Sequence, residues 1–173
     1  LFLKNKINTI DKKSCKDVLI APSWNTNFYD LKLHIILNSF FKKNKISFDF
    51  RPHPMSLVKK EISLKELNDL NISCNLNYDL NFFKYNFLIS DWSGIFIEFF
   101  LITKKKALLI NTPQKILNNE YEKYSTKPAE IILRKSLAKD YDINNVSSLN
   151  QDILKYLKSN QINSGIIKSF EIY

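Results

Sequence analysis

Residues 87–100 read FLISDWSGIFIEFF, and they join two different patterns at one point. FLIS (87–90) is a short apolar run with the character of a buried strand. GIFIEFFLIT (94–103) is apolar almost all the way round, so as a helix it is expected to be buried on most faces. Between them stand Asp91, Trp92, Ser93 and Gly94, a tight polar turn. The helix itself carries one acid, Glu98. A lone acid in so apolar a helix is costly unless it is paired.

The same alternation repeats on both sides. DVLIAP (17–22) reads as a strand and 27–41 as a helix, with Phe28, Leu31, Ile35 and Phe40 spaced along it. ISFDFR (46–51) is a second strand, 56–70 looks helical, and 72–75 is a candidate short strand. After the quoted stretch, 107–111 is a further strand, and 128–136 and 149–158 are later helices. Strands alternating with helices at this spacing predict an α/β fold: a Rossmann-like, mostly parallel sheet with helices on both faces. We expect one domain over 1–173, with 137–173 as a helical extension. The start, LFLKNKINT, is neither a signal peptide nor an initiator-Met terminus, and the chain reads as a piece of a longer polypeptide.

Composition narrows the function classes. The 173 residues are 45% apolar and 25% charged, ordinary for a globular protein. No apolar run approaches the roughly 18–20 residues that span a bilayer. Cys15 and Cys74 form no spaced metal motif and are expected to be reduced thiols, as in a cytoplasmic protein. The formal charge is +9, yet only Arg51 and Arg134 among the 26 basic residues are arginine. Lys42–Lys45 (KKNK) and Lys104–Lys106 (KKK) fall where helices should end, where cations suit the helix dipole. A basic flank resting on anionic lipid is the other reading. Nucleic acid is not expected, because the aromatics are not interleaved with the lysines.

Parallel sheets bind ligands beyond the carboxyl ends of their strands. Here those segments are SWN after Pro22, PHP after Arg51, DWSG after Ser90 and NTP after Ile110. They hold both tryptophans, Trp24 and Trp92, together with His53 and Gly94, and with Pro22 at the first strand's end they account for four of the five prolines (Pro22, Pro52, Pro54 and Pro113). Turns attract Pro and Gly in any case, but that does not account for Trp, His and Arg. At DWSG a helix opens with unpaired backbone N–H groups and the positive end of its dipole, an anion site that Gly94 lets a phosphate approach. Asp91 or Ser93 would cap it. A plain capped helix without a ligand fits the motif equally. Glu98 follows Gly94 by four residues on the same helix face and leans toward its start. It suits ribose hydroxyls better than phosphate, or alternatively a buried pair with a Lys or Arg134. In RPHP the prolines stiffen the turn, so Arg51 can fork onto phosphate oxygens and His53 can donate to one or act as an acid. His34, mid-helix, reads as structural. There is no G-x-G-x-x-G, no Walker A and no nucleophile elbow, and zinc is not expected.

The order APSWN, RPHP, FLISDWSGIFIEF, ALLINTPQKILNNEYEKY resembles the CDP-glycerol glycerophosphotransferase family, bacterial enzymes that build teichoic-acid-like and related surface polymers. The likeness covers roughly residues 17–135 and departs from the family at Trp92 and Gly94, where Tyr and Ser are commoner. It implies the C-terminal, donor-binding half of a GT-B architecture. The donor would be CDP-glycerol or a related CDP-polyol, with no further cofactor, and the acceptor a lipid-linked or glycan hydroxyl. The enzyme would be cytoplasmic or peripheral on the inner membrane face. On this resemblance Ser23, Trp24, Asp91, Ser93, Gly94, Ile95 and Glu98 bind nucleotide and diphosphate, and Arg51 and His53 are catalytic. The family's W-H-G motif, the expected source of the base, belongs to an N-terminal domain that this chain lacks. A nucleotide-sugar glycosyltransferase would use the same donor domain. A basic lipid- or nucleic-acid-binding module is the non-enzymatic alternative.

Overall fold

The computed structural model describes residues 16–77, 79–113, 123 and 127–162. Its centre is a five-stranded sheet built from β1 (Lys16–Ile20), β2 (Phe48–Phe50), β3 (Tyr85–Ser90), β4 (Ala107–Asn111) and β5 (Ala138–Asp142). The spatial order is β2-β1-β3-β4-β5, and every neighbouring pair is parallel. Val18 lies opposite Phe48 on one side and Phe87 on the other, and Ile20 opposite Phe50 and Ile89. Strands buried on both faces need apolar residues at successive positions, which is why VLI, FLI and LLI recur.

Alternation sends these side chains to two cores. Val18, Ile20, Phe48, Phe50, Phe87, Ile89, Leu108 and Ile110 pack under α1 (Leu33–Lys43), α3 (Leu64–Asp69) and α6 (Val146–Ile162). Leu19, Ala21, Leu88, Ala107, Leu109 and Ala138 pack under α4 (Ile95–Thr103) and α5 (Ala129–Leu137). The α/β reading, with helices on both faces, therefore holds. Among the described residues no helix is long and apolar enough to cross a membrane.

Four local expectations change. The helix expected over 27–41 begins only at Leu33, because Asn27 and Lys32 are left-handed, with φ of 57° and 54°. The helix expected over 56–70 is two short ones, α2 (Pro54–Val58) and α3, separated by left-handed Lys60 and restarted by a capping box in which Ser63 and Glu66 satisfy each other's backbone N–H. The region 137–173 is not only helical, since β5 lies within it. Its Lys139, Asp140 and Asp142 hide the strand pattern, and charges are tolerated there because β5 is an edge. Helix α4 is not buried on most faces. Phe96 and Phe99 are fully buried, whereas Glu98, Leu101 and Ile102 are exposed. Residues 72–75 contribute one isolated parallel bridge, Phe50 to Cys74. Burial pushes the Cys74 thiol up, away from the reactive thiolate. Cys15 and most of the Tyr-containing segment 111–124 lie outside the described residues.

Candidate functional site

The chain runs outward from β1 to β2, then returns past β1 to place β3 on its other side. In open parallel sheets ligands bind at such a reversal, beside the loops that follow the carboxyl ends of the two strands, here β1 and β3. Those loops are Ala21–Thr26 and Asp91–Gly94.

One residue ties them together. Asp91 is fully buried. Its Oδ1 accepts from the N–H of Ser23 at 2.8 Å and of Trp92 at 2.7 Å, and its Oδ2 accepts the Thr26 hydroxyl at 2.6 Å. Ser90 adds a second tie by donating its hydroxyl to the carbonyl of Ala21 at 2.6 Å. Both carboxylate oxygens of Asp91 are thus engaged within the protein, so it holds the two loops together and does not cap α4. The Ser23 hydroxyl beside it is buried with no hydrogen-bond partner, as is that of Thr112 after β4.

The other wall is held by Arg134. This guanidinium, also buried, donates through Nη1 to the carbonyl of Asp91 at 2.6 Å and through Nη2 to Asn111 Oδ1 at 2.5 Å. Its Nε is paired with Asp140 Oδ1 at 2.7 Å. It also lies over the Trp92 ring, 4.2 Å from the centroid, while the indole N–H of Trp92 donates to the carbonyl of Thr112 at 2.8 Å. Burial pulls the guanidinium below its usual range, and the Asp140 and Asp91 charges act against that pull. Arg134 is therefore the joint between the carboxyl ends of β3 and β4 and the middle of β5, and it is not paired with Glu98. Sequence reasoning overlooked its role. Its scarcity, as one of two arginines among so many lysines, was the available signal.

Helix α4 opens from this knot. Gly94 is its N-cap at φ −66° and ψ −8°, with no side-chain cap. The Ser93 hydroxyl stands 3.4 Å from the N–H of Ile95. The amides at the start of α4 therefore lack the tight side-chain acceptor that usually satisfies them. Gly94 is not needed for its backbone angle. A Cβ there would lie 3.3 Å from Oε1 of Glu130, so the glycine leaves room for that carboxylate. Glu98 lies one turn further along and is exposed, which removes the need for a buried partner.

Beyond the ends of β1 and β2, Trp24 and His53 approach each other, their ring centroids 6.4 Å apart. His53 caps α2: its Nδ1 accepts from the N–H of Met55 at 3.0 Å, which leaves the proton of the neutral ring on Nε2. Arg51 is half-buried at the end of β2, and its Nη1 donates to the carbonyl of Asn77. The structure thus joins Ser23, Asp91 and Trp92 directly, pairs Trp24 with His53, and turns Arg51 toward Asn77. Among the described residues no cluster of His, Cys, Asp and Glu could hold a metal ion.

No family model matches the chain, and no curated protein is similar enough to it to count as a relative.

Proposed function

We propose that this chain is the donor-nucleotide domain of a transferase of the CDP-glycerol glycerophosphotransferase type. It would hold a CDP-activated polyol while the polyol phosphate passes to a lipid-linked or glycan acceptor. The observation that carries the reading is the pair of strand-end loops knotted by Asp91 at the point where strand order reverses, with the start of α4, which has no side-chain cap, opening from them. The N–H groups of Ser93, Gly94 and Ile95 would take the diphosphate, with the Ser93 hydroxyl donating to one of its oxygens. Exposed Glu98, one turn on, is available to ribose hydroxyls. Half-buried Trp24 would stack on the base, with Ser23 preceding it in the chain. His53 would stabilise charge on the leaving phosphate, joined by Arg51 once it exchanges the Asn77 carbonyl for a phosphate oxygen.

Calorimetric titration with CDP, UDP, inorganic diphosphate and a short oligonucleotide tests this. CDP should bind, and Ser93→Ala should weaken it by roughly ten- to hundredfold, the worth of one hydrogen bond to a charged oxygen. Glu98→Gln should weaken CDP more than inorganic diphosphate, since only the nucleotide carries ribose. A preference for UDP would move the reading to a nucleotide-sugar glycosyltransferase. Binding of the oligonucleotide alone would defeat both.

A further inference from the structure

The amino ends of the strands, away from the loops that Asp91 ties together, hold a cleft of about 480 Å³. Small-molecule sites measure roughly 300–1,000 Å³. Two elements on one face of the sheet wall it: the turn that leaves α1, with Lys45 and Ile46, and the second half of α6, with Leu154, Leu157 and Lys158. Asp17 and Asn86, each the second residue of its strand, line it from the neighbouring β1 and β3.

The lining divides by chemistry. Ile46 is buried and Leu154 and Leu157 are half-buried, an aliphatic wall that the protein covers only in part. Lys45 and Lys158 are exposed, and among the described residues neither ammonium has an acid as partner. The acid of the lining, Asp17, is turned to a neighbour: its Oδ2 accepts from the N–H of Ser47 at 2.9 Å and from its hydroxyl at 2.7 Å. The lining holds no aromatic ring and no arginine. Nothing there can stack on a nucleobase or fork onto a phosphate. A singly charged head suits two lysines better than a phosphate dianion, because Asp17 and the carboxyl end of α1, capped at Asn44, already supply negative potential.

We propose that this cleft binds a small aliphatic carboxylate, its chain against Ile46, Leu154 and Leu157 and its carboxylate met by Lys45 and Lys158. The inference is independent of the nucleotide reading, because the cleft lies at the opposite end of the strands. CDP and the carboxylate should therefore bind without competing.

The test is an NMR titration of the 173-residue chain with hexanoate, acetate and hexylamine. Hexanoate should shift the side-chain amide of Asn86 and the methyl signals of Leu154 and Leu157 in a saturable way, and leave the indole signals of Trp24 and Trp92 in place. Acetate, which has the head without the chain, should bind at least tenfold more weakly, because buried methylenes supply much of the affinity. Hexylamine, which has a chain of the same length and the opposite charge, should not bind. Lys45→Gly combined with Lys158→Gln should weaken hexanoate roughly tenfold, the worth of two exposed ion pairs. Both changes are at exposed side chains, so the melting temperature should not fall. Absence of a saturable shift at Asn86, Leu154 and Leu157 overturns the proposal. Equal binding of hexylamine, or full affinity in the double variant, overturns it too, since the cleft would then select no charge.

Discussion

At the scale of single residues, Gly94 and Glu130 form the most informative pair. The glycine has an ordinary helical φ, so its use lies in the space it leaves, and Glu130 fills that space. A carboxylate at the start of a helix is favourable, by about 0.3–1 kcal/mol. It also stands where a diphosphate would be drawn. Glu130→Gln should therefore move two quantities in opposite directions. The melting temperature should fall slightly as the dipole loses its carboxylate. Inorganic diphosphate should bind roughly tenfold more tightly, because a like charge beside the bound anion is gone. Calorimetry and a thermal melt read both. Unchanged diphosphate affinity would mean that Glu130 only caps the helix from outside.

At the scale of elements, scarcity of glycine leaves a trace at the helix ends. Helices often close on a left-handed residue that is usually glycine, and this chain has two glycines. Lys45 after α1, Lys60 after α2, Asn71 after α3 and Lys104 after α4 take that conformation instead, at φ of 51° to 60°. For a side chain with a Cβ the conformation costs about 1–2 kcal/mol, and asparagine bears it better than lysine. Lys45→Gly and Lys60→Gly should each raise stability by about 1 kcal/mol in urea denaturation, after allowing for the greater freedom of glycine in the unfolded chain. A loss of stability in both would show that these lysines hold their turns by contacts stronger than the strain.

For the whole molecule, stability should fall with acid in two steps. His34 is buried beside Tyr29, and burial lowers its pKa below the ordinary 6.5, with Glu66 opposing the shift. A depressed group contributes fully above its unfolded pKa, and that contribution is lost as pH falls through the folded one. The first decline therefore begins below about pH 6.5. Asp152 on α6 accepts from Lys139 Nζ at 2.6 Å and from the Tyr141 hydroxyl at 2.7 Å, both on β5, and these bonds hold its carboxyl below the usual range. Its share persists above the ordinary aspartate pKa of about 3.9 and disappears below it. Urea midpoints measured from about pH 7.5 down to about pH 3 should show both steps. His34→Phe should flatten the first and Asp152→Asn the second. A first step unchanged in His34→Phe would assign it to another group.

The α/β architecture was legible in the sequence because a sheet buried on both faces needs unbroken apolar strands, and VLIA, FLIS and ALLI are such runs. The placement of Trp24, His53 and Trp92 just beyond the ends of β1, β2 and β3 was legible too, since each follows an apolar run of strand length. Partners separated along the chain were not legible. Asp91 looked like a cap or a ligand group, and the fold spends it on Ser23 and Thr26, which lie 68 and 65 residues away. Glu98 looked like a buried charge because local pattern cannot reveal which ridge of an apolar helix the sheet covers. Strand β5 was hidden because an edge tolerates charges that a central strand does not. The sequence by itself determined layers and periodicity, which depend on neighbours a few residues apart. Hydrogen-bond partners and exposure were decided only by tertiary structure, because they depend on which distant segments the chain brings together.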